Sequence, residues 1–397
     1  MFSSFTTRLR VEVETVKLVL DAHDTLRSLV YSQEPAEQLN AAPARTAEGL
    51  VSSAGGGHLH QIRRSGLLKS AWQVYDHCAA FTRLYAVFEQ FVEDLASDYL
   101  RVLPDLHQKY GDLPSNVRTQ HRIGIGQILL KLGKDGPYKE LDEGGVIKGW
   151  SDGLSGSPRY TLLPHAFLID PQNYRAETLA RLFRYLGIED CWAWIEKHPL
   201  VLKFMADERD ANETPKTLLH DFVEYRNKAS HTKVGDIVAT EEIKSIADYV
   251  AILSEALSEL VMKRVVQQKM VLGEAARVGS VVNRFSNSIV GAQMQAGSVA
   301  VGDELVIMHR NSCYRAAVMS IQIGQTPYEQ LEVQTGQEIG LRLSSIANKG
   351  ADLVRIAFLQ PALSGPIPEP ISPDPADGPA APATQFEDQD NSKSEGG

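Results

Sequence analysis

The chain is 397 residues long, 43% apolar and 23% charged, with a formal charge of −10. That length suits two or three domains with a sizeable core, so a soluble globular protein is expected. Cys78, Cys191 and Cys313 stand alone, which argues against a disulfide framework or a zinc site; no apolar run resembles a signal peptide or a bilayer span, so the expected location is cytoplasmic, with no membrane contact.

The first predicted element is a helix over residues 8–31, with Leu9, Val13, Val16, Leu20 and Val30 facing inward. A polar connector containing Gly55-Gly56-Gly57 completes an N-terminal segment, residues 1–66. Ala71, Val74, Cys78, Phe81, Tyr85, Phe88, Val92, Leu95 and Tyr99 then alternate steps of three and four. Such a pattern predicts a long amphipathic helix, the spine of a bundle or a dimer seam. Between about 104 and 165, short apolar pieces separated by Gly, Pro and Asp read as an irregular insert with no assignable fold. Its Gly124-Ile125-Gly126 lacks the strand-turn-helix and downstream acid of a dinucleotide site, and no Gly-Lys-Ser/Thr follows for a P-loop. Helical pattern returns over Glu177–Leu186, stops at Gly187, and resumes from Trp192 to Lys197. Further helices are predicted at about 215–230 and 241–268, the last with Ile243, Ile246, Val250, Leu253, Leu257 and Leu260 inward.

Val-rich runs with Gly-Asp turns follow at Val299–Ile307, Ala316–Gln322 and Ile339–Leu343, which predicts a small β-barrel over residues 271–358. Residues 361–397 carry eight prolines, seven acids and one lysine, hence −6 of the −10. With few bulky apolar groups that tail cannot offset its ordering entropy and is expected to be disordered. It would serve as a solubilising extension or as an acidic competitor for a basic groove.

The densest chemistry lies in Glu224-Tyr225-Arg226-Asn227-Lys228-Ala229-Ser230-His231. An arginine supplies permanent charge for a phosphate, and a histidine can give or take a proton near neutral pH. Spacing alone is weak evidence, because the Arg and His content gives roughly 0.6 Arg-x4-His matches by chance. Two wider pairs, Arg101/His107 and Arg159/His165, contain Pro104 and Pro164, which argue against a continuous helix. The Arg226 copy has better surroundings. Thr214 suits an N-cap, Pro215 the first helical position, and Leu218, Leu219, Phe222, Tyr225 and Ala229 form an apolar stripe. At about 100° per residue Arg226 falls within that stripe, where a cation needs a carboxylate, a carbonyl or a phosphate. His231 falls away from it, so either the helix ends near Ser230 or a second protomer completes the pair.

Residues 67–268 resemble the HEPN superfamily, in particular its RiboL-PSP type. The resemblance is carried by Arg-Leu-Tyr-Ala-Val-Phe-Glu at 83–89, by Tyr174-Arg175-Ala176-Glu177-Thr178-Leu179 leading to Leu186-Gly187-Ile188, and by the Arg-Asn-x3-His core within 222–231. It implies an up-down helical bundle that forms a homodimer, bringing two Arg/His motifs into one cleft. The implied activity is a metal-independent endoribonuclease without cofactors, acting in antiphage defence as a toxin on cellular RNA such as tRNA. In that scheme His231 is general base or general acid, Arg226 stabilises charge on the phosphate, and Asn227 orients either by hydrogen bonding. Glu89 is the candidate partner of Arg226, as a working residue or as a structural salt bridge. Lys233 stands where members controlled by a nucleotidyltransferase antitoxin carry tyrosine, which argues against adenylylation as the control. The alternative is an inactive HEPN scaffold that binds protein or RNA in a defence complex.

Residues 271–358 resemble domain two of translational GTPases such as elongation factor Tu, through Val301-Gly302-Asp303-Glu304, Val-Met-Ser-Ile-Gln at 318–322, Thr335–Leu341 and Lys349–Asp352. No GTPase P-loop precedes it. The resemblance implies a surface for tRNA or a translation component, with a spacer or protein-binding barrel as the alternative; Arg310, Arg315 and Arg342 are too scattered to define an RNA surface. The expected architecture is therefore multidomain α + β, with a helical HEPN bundle, a translation-factor-like barrel and a disordered acidic tail. The expected partners are RNA, a second copy of the chain, and an antitoxin or other defence protein.

Overall fold

A computed structural model of the chain describes residues 3–31, 61–62, 65–133, 138–157, 159–169, 173–229 and 237–357. The Gly55-Gly56-Gly57 connector and the acidic tail lie outside the described residues. Helix α1 (Ser3–Tyr31) turns Leu9, Val13, Val16, Leu20 and Val30 inward, and all five are buried. It packs along α2 (Lys69–Leu106), whose three-four pattern buries Phe81, Leu84, Tyr85, Phe88, Val92 and Leu95. Pro104 does not interrupt α2 as its ring suggests: the last turn forgoes one bond to the Leu100 carbonyl, and the helix runs on to Leu106. His107 then closes it, donating its N–H to the Leu103 carbonyl at 2.9 Å.

The described residues within 104–165 are largely ordered into helices. They hold α3 (Ser115–Leu129) and α4 (Glu143–Leu154), with single turns at Tyr110–Asp112 and Pro164–Ala166. Apolar periodicity fails there because glycines make the contacts. A Cβ on Gly124 would stand 2.0 Å from the Ala166 carbonyl oxygen, and one on Gly149 2.4 Å from that of Thr161. The Gly124-Ile125-Gly126 motif thus lies inside a helix and serves close backbone approach.

Helix α5 (Ala176–Tyr185) ends before Gly187, whose φ of +80° turns the chain into the short α6 (Cys191–Ile195). Helix α7 (Pro199–Glu208) is an addition that periodicity did not predict. At α8 (Pro215–Ala229), Thr214 and Thr217 cap one another: Thr217 N–H donates to Thr214 Oγ1 at 3.1 Å and Thr214 N–H to Thr217 Oγ1 at 2.8 Å. This is a capping box with threonine in place of the usual acid or amide. Helix α9 (Thr240–Val271) runs through the bundle against α1, α2, α6 and α7. No helix among the described residues is long and apolar enough to cross a membrane.

The barrel comprises β1 (Ala275–Arg284), β2 (Ile289–Met294), β3 (Gly297–Ala300), β4 (Glu304–His309), β5 (Ser312–Ile323), β6 (Thr326–Tyr328), β7 (Gln330–Val333), β8 (Glu338–Leu343) and β9 (Asp352–Ile356). Six antiparallel strands follow the order β4-β9-β1-β2-β8-β5, and pairing of β5 with β4 closes the ring. Val290, Ala292, Leu305, Ile307, Val318 and Leu341 fill it. The expected single run Val299–Ile307 divides into β3 and β4 at Gly302, where φ is +92° and only glycine is unstrained. Arg315 pairs with Glu304 on the neighbouring strand at 3.1 Å.

Bundle and barrel share a core. Ala275, Val306, Cys313 and Val354 pack into the helical cluster. Glu259 of α9, buried, accepts the Cys313 N–H at 2.6 Å, and its Oε2 lies 3.1 Å from Nε2 of the buried His198. Lys263 donates to the Arg310 carbonyl at 2.6 Å and sits over the Trp194 ring.

Candidate functional site

The C-terminal turn of α8 meets α2 beside residues 173–175. Phe222 anchors the contact, fully buried with its ring 5.9 Å from that of Tyr85 and 6.2 Å from that of Phe88. One turn later Arg226 emerges half-buried on the same stripe, as its angular position requires. Its guanidinium carbon lies 4.3 Å from the centre of the Tyr85 ring. Its Nη1 donates to Asn173 Oδ1 at 2.8 Å and to Asn227 Oδ1 at 3.2 Å. Asn173 Nδ2 donates in turn to Asn227 Oδ1 at 3.0 Å, so the two amides form one unit around the arginine. Arg175 and Glu224 pair at the flank.

The platform is itself fixed. The Tyr85 hydroxyl accepts the Tyr174 N–H at 2.9 Å, and the Glu89 carboxylate lies close enough to act on its charge state. Burial pushes Tyr85 up to about 12; the Tyr174 bond and the Arg226 charge oppose that rise, and the Glu89 charge adds to it. One turn further along α2, Glu93 lies above the ordinary carboxylate range, first through burial and then through the charge of Glu89. His77, buried on α2, accepts the Val238 N–H at 3.3 Å through Nδ1; burial, then the charge of Lys228, pushes it down, so it serves as a neutral acceptor.

Of the expected site residues, Arg226, Asn227 and Glu89 therefore gather around Tyr85, and His231 lies outside the described residues, as do Ser230 and Lys233. The expected pairing of Arg226 with Glu89 needs correction. Among the described residues no ion pair joins them: amide oxygens and a ring face the guanidinium, and Glu89 acts on the neighbouring Tyr85 through its charge. Two contributors are not among the expected site residues. Tyr85 enters the sequence only as an apolar position of α2 and as part of the 83–89 resemblance, and Asn173 carries no signal beyond its place before the Tyr174–Leu179 segment. Chemically, the cluster presents a guanidinium held in a fixed plane at the rim of the bundle, a geometry suited to non-bridging phosphate oxygens.

A family model described as RiboL-PSP-HEPN matches residues 58–263, more than half of the chain. None of the curated proteins compared matches it.

Proposed function

The chain belongs to the RiboL-PSP-HEPN family, and on that premise we propose that it is an endoribonuclease that cuts RNA without a metal. The observation that carries the reading is the fixing of Arg226 by Asn173, Asn227 and the Tyr85 ring, which prepays the orientation of a phosphate-binding cation. The 2′-hydroxyl of the substrate attacks its own phosphate. His231, or its twin in a second protomer, takes the hydroxyl proton, and the other protonates the departing 5′-oxygen. A 2′-oxygen–phosphorus bond forms, the 5′-oxygen–phosphorus bond breaks, and the products carry a 2′,3′-cyclic phosphate and a 5′-hydroxyl. Arg226 stabilises the charge gained by the non-bridging oxygens, and Asn227 keeps it aimed. The wider role is that of a defence toxin acting on cellular RNA such as tRNA, with the barrel as its targeting surface.

Purified protein should cut RNA in the presence of chelator and leave cyclic phosphate ends. Arg226→Ala and His231→Ala should each lower the rate by about 100-fold or more, the scale of losing one charge-stabilising or proton-transfer group. Activity that survives both substitutions would sink the site; an inert wild-type chain on every RNA tried would favour the scaffold.

A further inference from the structure

A cleft of about 680 Å³ opens along α2, about two turns beyond Tyr85, between α2, the start of α4 and residues 161–168. Tyr85, Glu89, Glu93, Ser97 and Arg101 recur every fourth residue of α2, so one polar ridge leads from the arginine platform into this cleft. Tyr85 and Glu93 are roughly 12 Å apart along the helix axis.

Most charges on the cleft wall are already engaged. Asp94 pairs with Arg8 at 2.6 Å and accepts from Gln90 at 2.8 Å, and Arg101 pairs with Asp98. Glu93 differs: half-buried, it accepts among the described residues one long bond, 3.5 Å from the Tyr174 hydroxyl. Its carboxylate retains acceptor capacity that points to a donor from outside. That donor is not a phosphate, which Glu93 and Asp94 would repel. Across the cleft stand aromatic faces, the exposed His165 ring set edge-on to Tyr138 at 6.2 Å. A flat group that stacks on a ring and offers hydrogen-bond donors along one edge is a nucleobase.

The bases differ in what they offer a carboxylate. Guanine has two neighbouring donors, N1–H and the N2 amino group, which match its two oxygens. Adenine and cytosine place one amino group beside a ring acceptor, and uracil flanks its single N–H with two carbonyls, so each would set an oxygen or lone pair against Glu93. We infer that this cleft receives a guanine base, with Glu93 accepting from N1–H and N2–H and His165 stacking on the ring. In RNA, that base would lie near the phosphate held by Arg226, and this part rests on the ribonuclease reading. Two donors on Glu93 would also offset the burial that pushes it upward.

Calorimetric titration of the full chain with GMP, AMP, CMP and UMP tests the cleft without any cleavage. GMP should bind at least tenfold tighter than the other three, and Glu93→Gln should lose at least tenfold for GMP alone while its circular dichroism stays unchanged. Equal binding of all four, absence of GMP binding, or an unaffected Glu93→Gln overturns the inference. Sequencing of cleaved RNA ends then separates the sources. Guanine enriched beside the cut in wild type and lost in Glu93→Gln assigns the base to the substrate. Selective GMP binding without guanine at the cuts assigns it to a free nucleotide. Selective GMP binding with no RNA cut at all leaves the cleft standing and removes the ribonuclease reading.

Discussion

Tyr85→Phe and Tyr85→Leu separate two roles of one side chain. The hydroxyl, in a residue 1% exposed, accepts the Tyr174 N–H at 2.9 Å. Phenylalanine strands that amide and should cost about 1–3 kcal/mol of stability. It keeps the ring under Arg226, however, and with it a contact worth about 0.5–2 kcal/mol. Cleavage by Tyr85→Phe should therefore stay within about threefold of wild type, because the groups facing developing charge are unmoved. Leucine removes the platform as well as the hydroxyl. A guanidinium that has lost its ring platform shifts on the scale of 1 Å, which costs on the order of 100-fold in rate. Initial rates on a short RNA, together with urea midpoints followed by tryptophan fluorescence, measure both effects. Equal loss of cleavage in the two variants would refute the platform role of the ring, and an unchanged midpoint in Tyr85→Phe would refute the role of the hydroxyl.

Gly124→Ala should destabilise by about 1–3 kcal/mol or more, since the new methyl meets backbone 2.0 Å away, whereas Gly126→Ala, with open space, should gain up to about 1 kcal/mol of helix propensity. Thermal midpoints of the two variants should move in opposite directions. His121, buried among Tyr110, Phe167 and the Leu163 amide, is pushed down to about 4 by burial from an ordinary value of 6.5. The unfolded chain binds the extra proton, so the stability from keeping this ring neutral is present above pH 6.5 and fades as pH falls towards 4, by about 3 kcal/mol in all. Urea midpoints across that window should fall less in His121→Gln. Glu259→Leu leaves the Cys313 N–H without its acceptor and should cost about 1–3 kcal/mol, read as faster hydrogen exchange at Cys313.

Sequence periodicity revealed those helices whose contacts are made by apolar side chains. Helices α1, α2, α8 and α9 follow it closely, and Arg226 stood out because a cation broke an apolar stripe. It failed for α3 and α4 because Gly124, Gly149 and Gly153 meet backbone or ring directly, and a residue without a side chain leaves no hydrophobic mark. In the barrel, β2 and β8 carry glycines at Gly291 and Gly340, paired opposite one another, and only β8 was foreseen. The partners of Arg226 were hidden for a different reason. Asn173 reaches the arginine from 53 positions away, a contact that exists only once the segment before α5 has packed against α8.

The seam between bundle and barrel bears on modularity. Helix α9 passes into β1 through Gly273, with no slack between them, and Val306, Cys313 and Val354 of β4, β5 and β9 pack into the helical core. The barrel is therefore not a detachable cargo module. Cutting the chain at residue 271 would open the bundle's own interior to water, and grafting this barrel elsewhere would demand a matching seat. A ligand of the barrel, were there one, would be presented to the rest of the protein at one fixed reach, as by the jaw of a calliper.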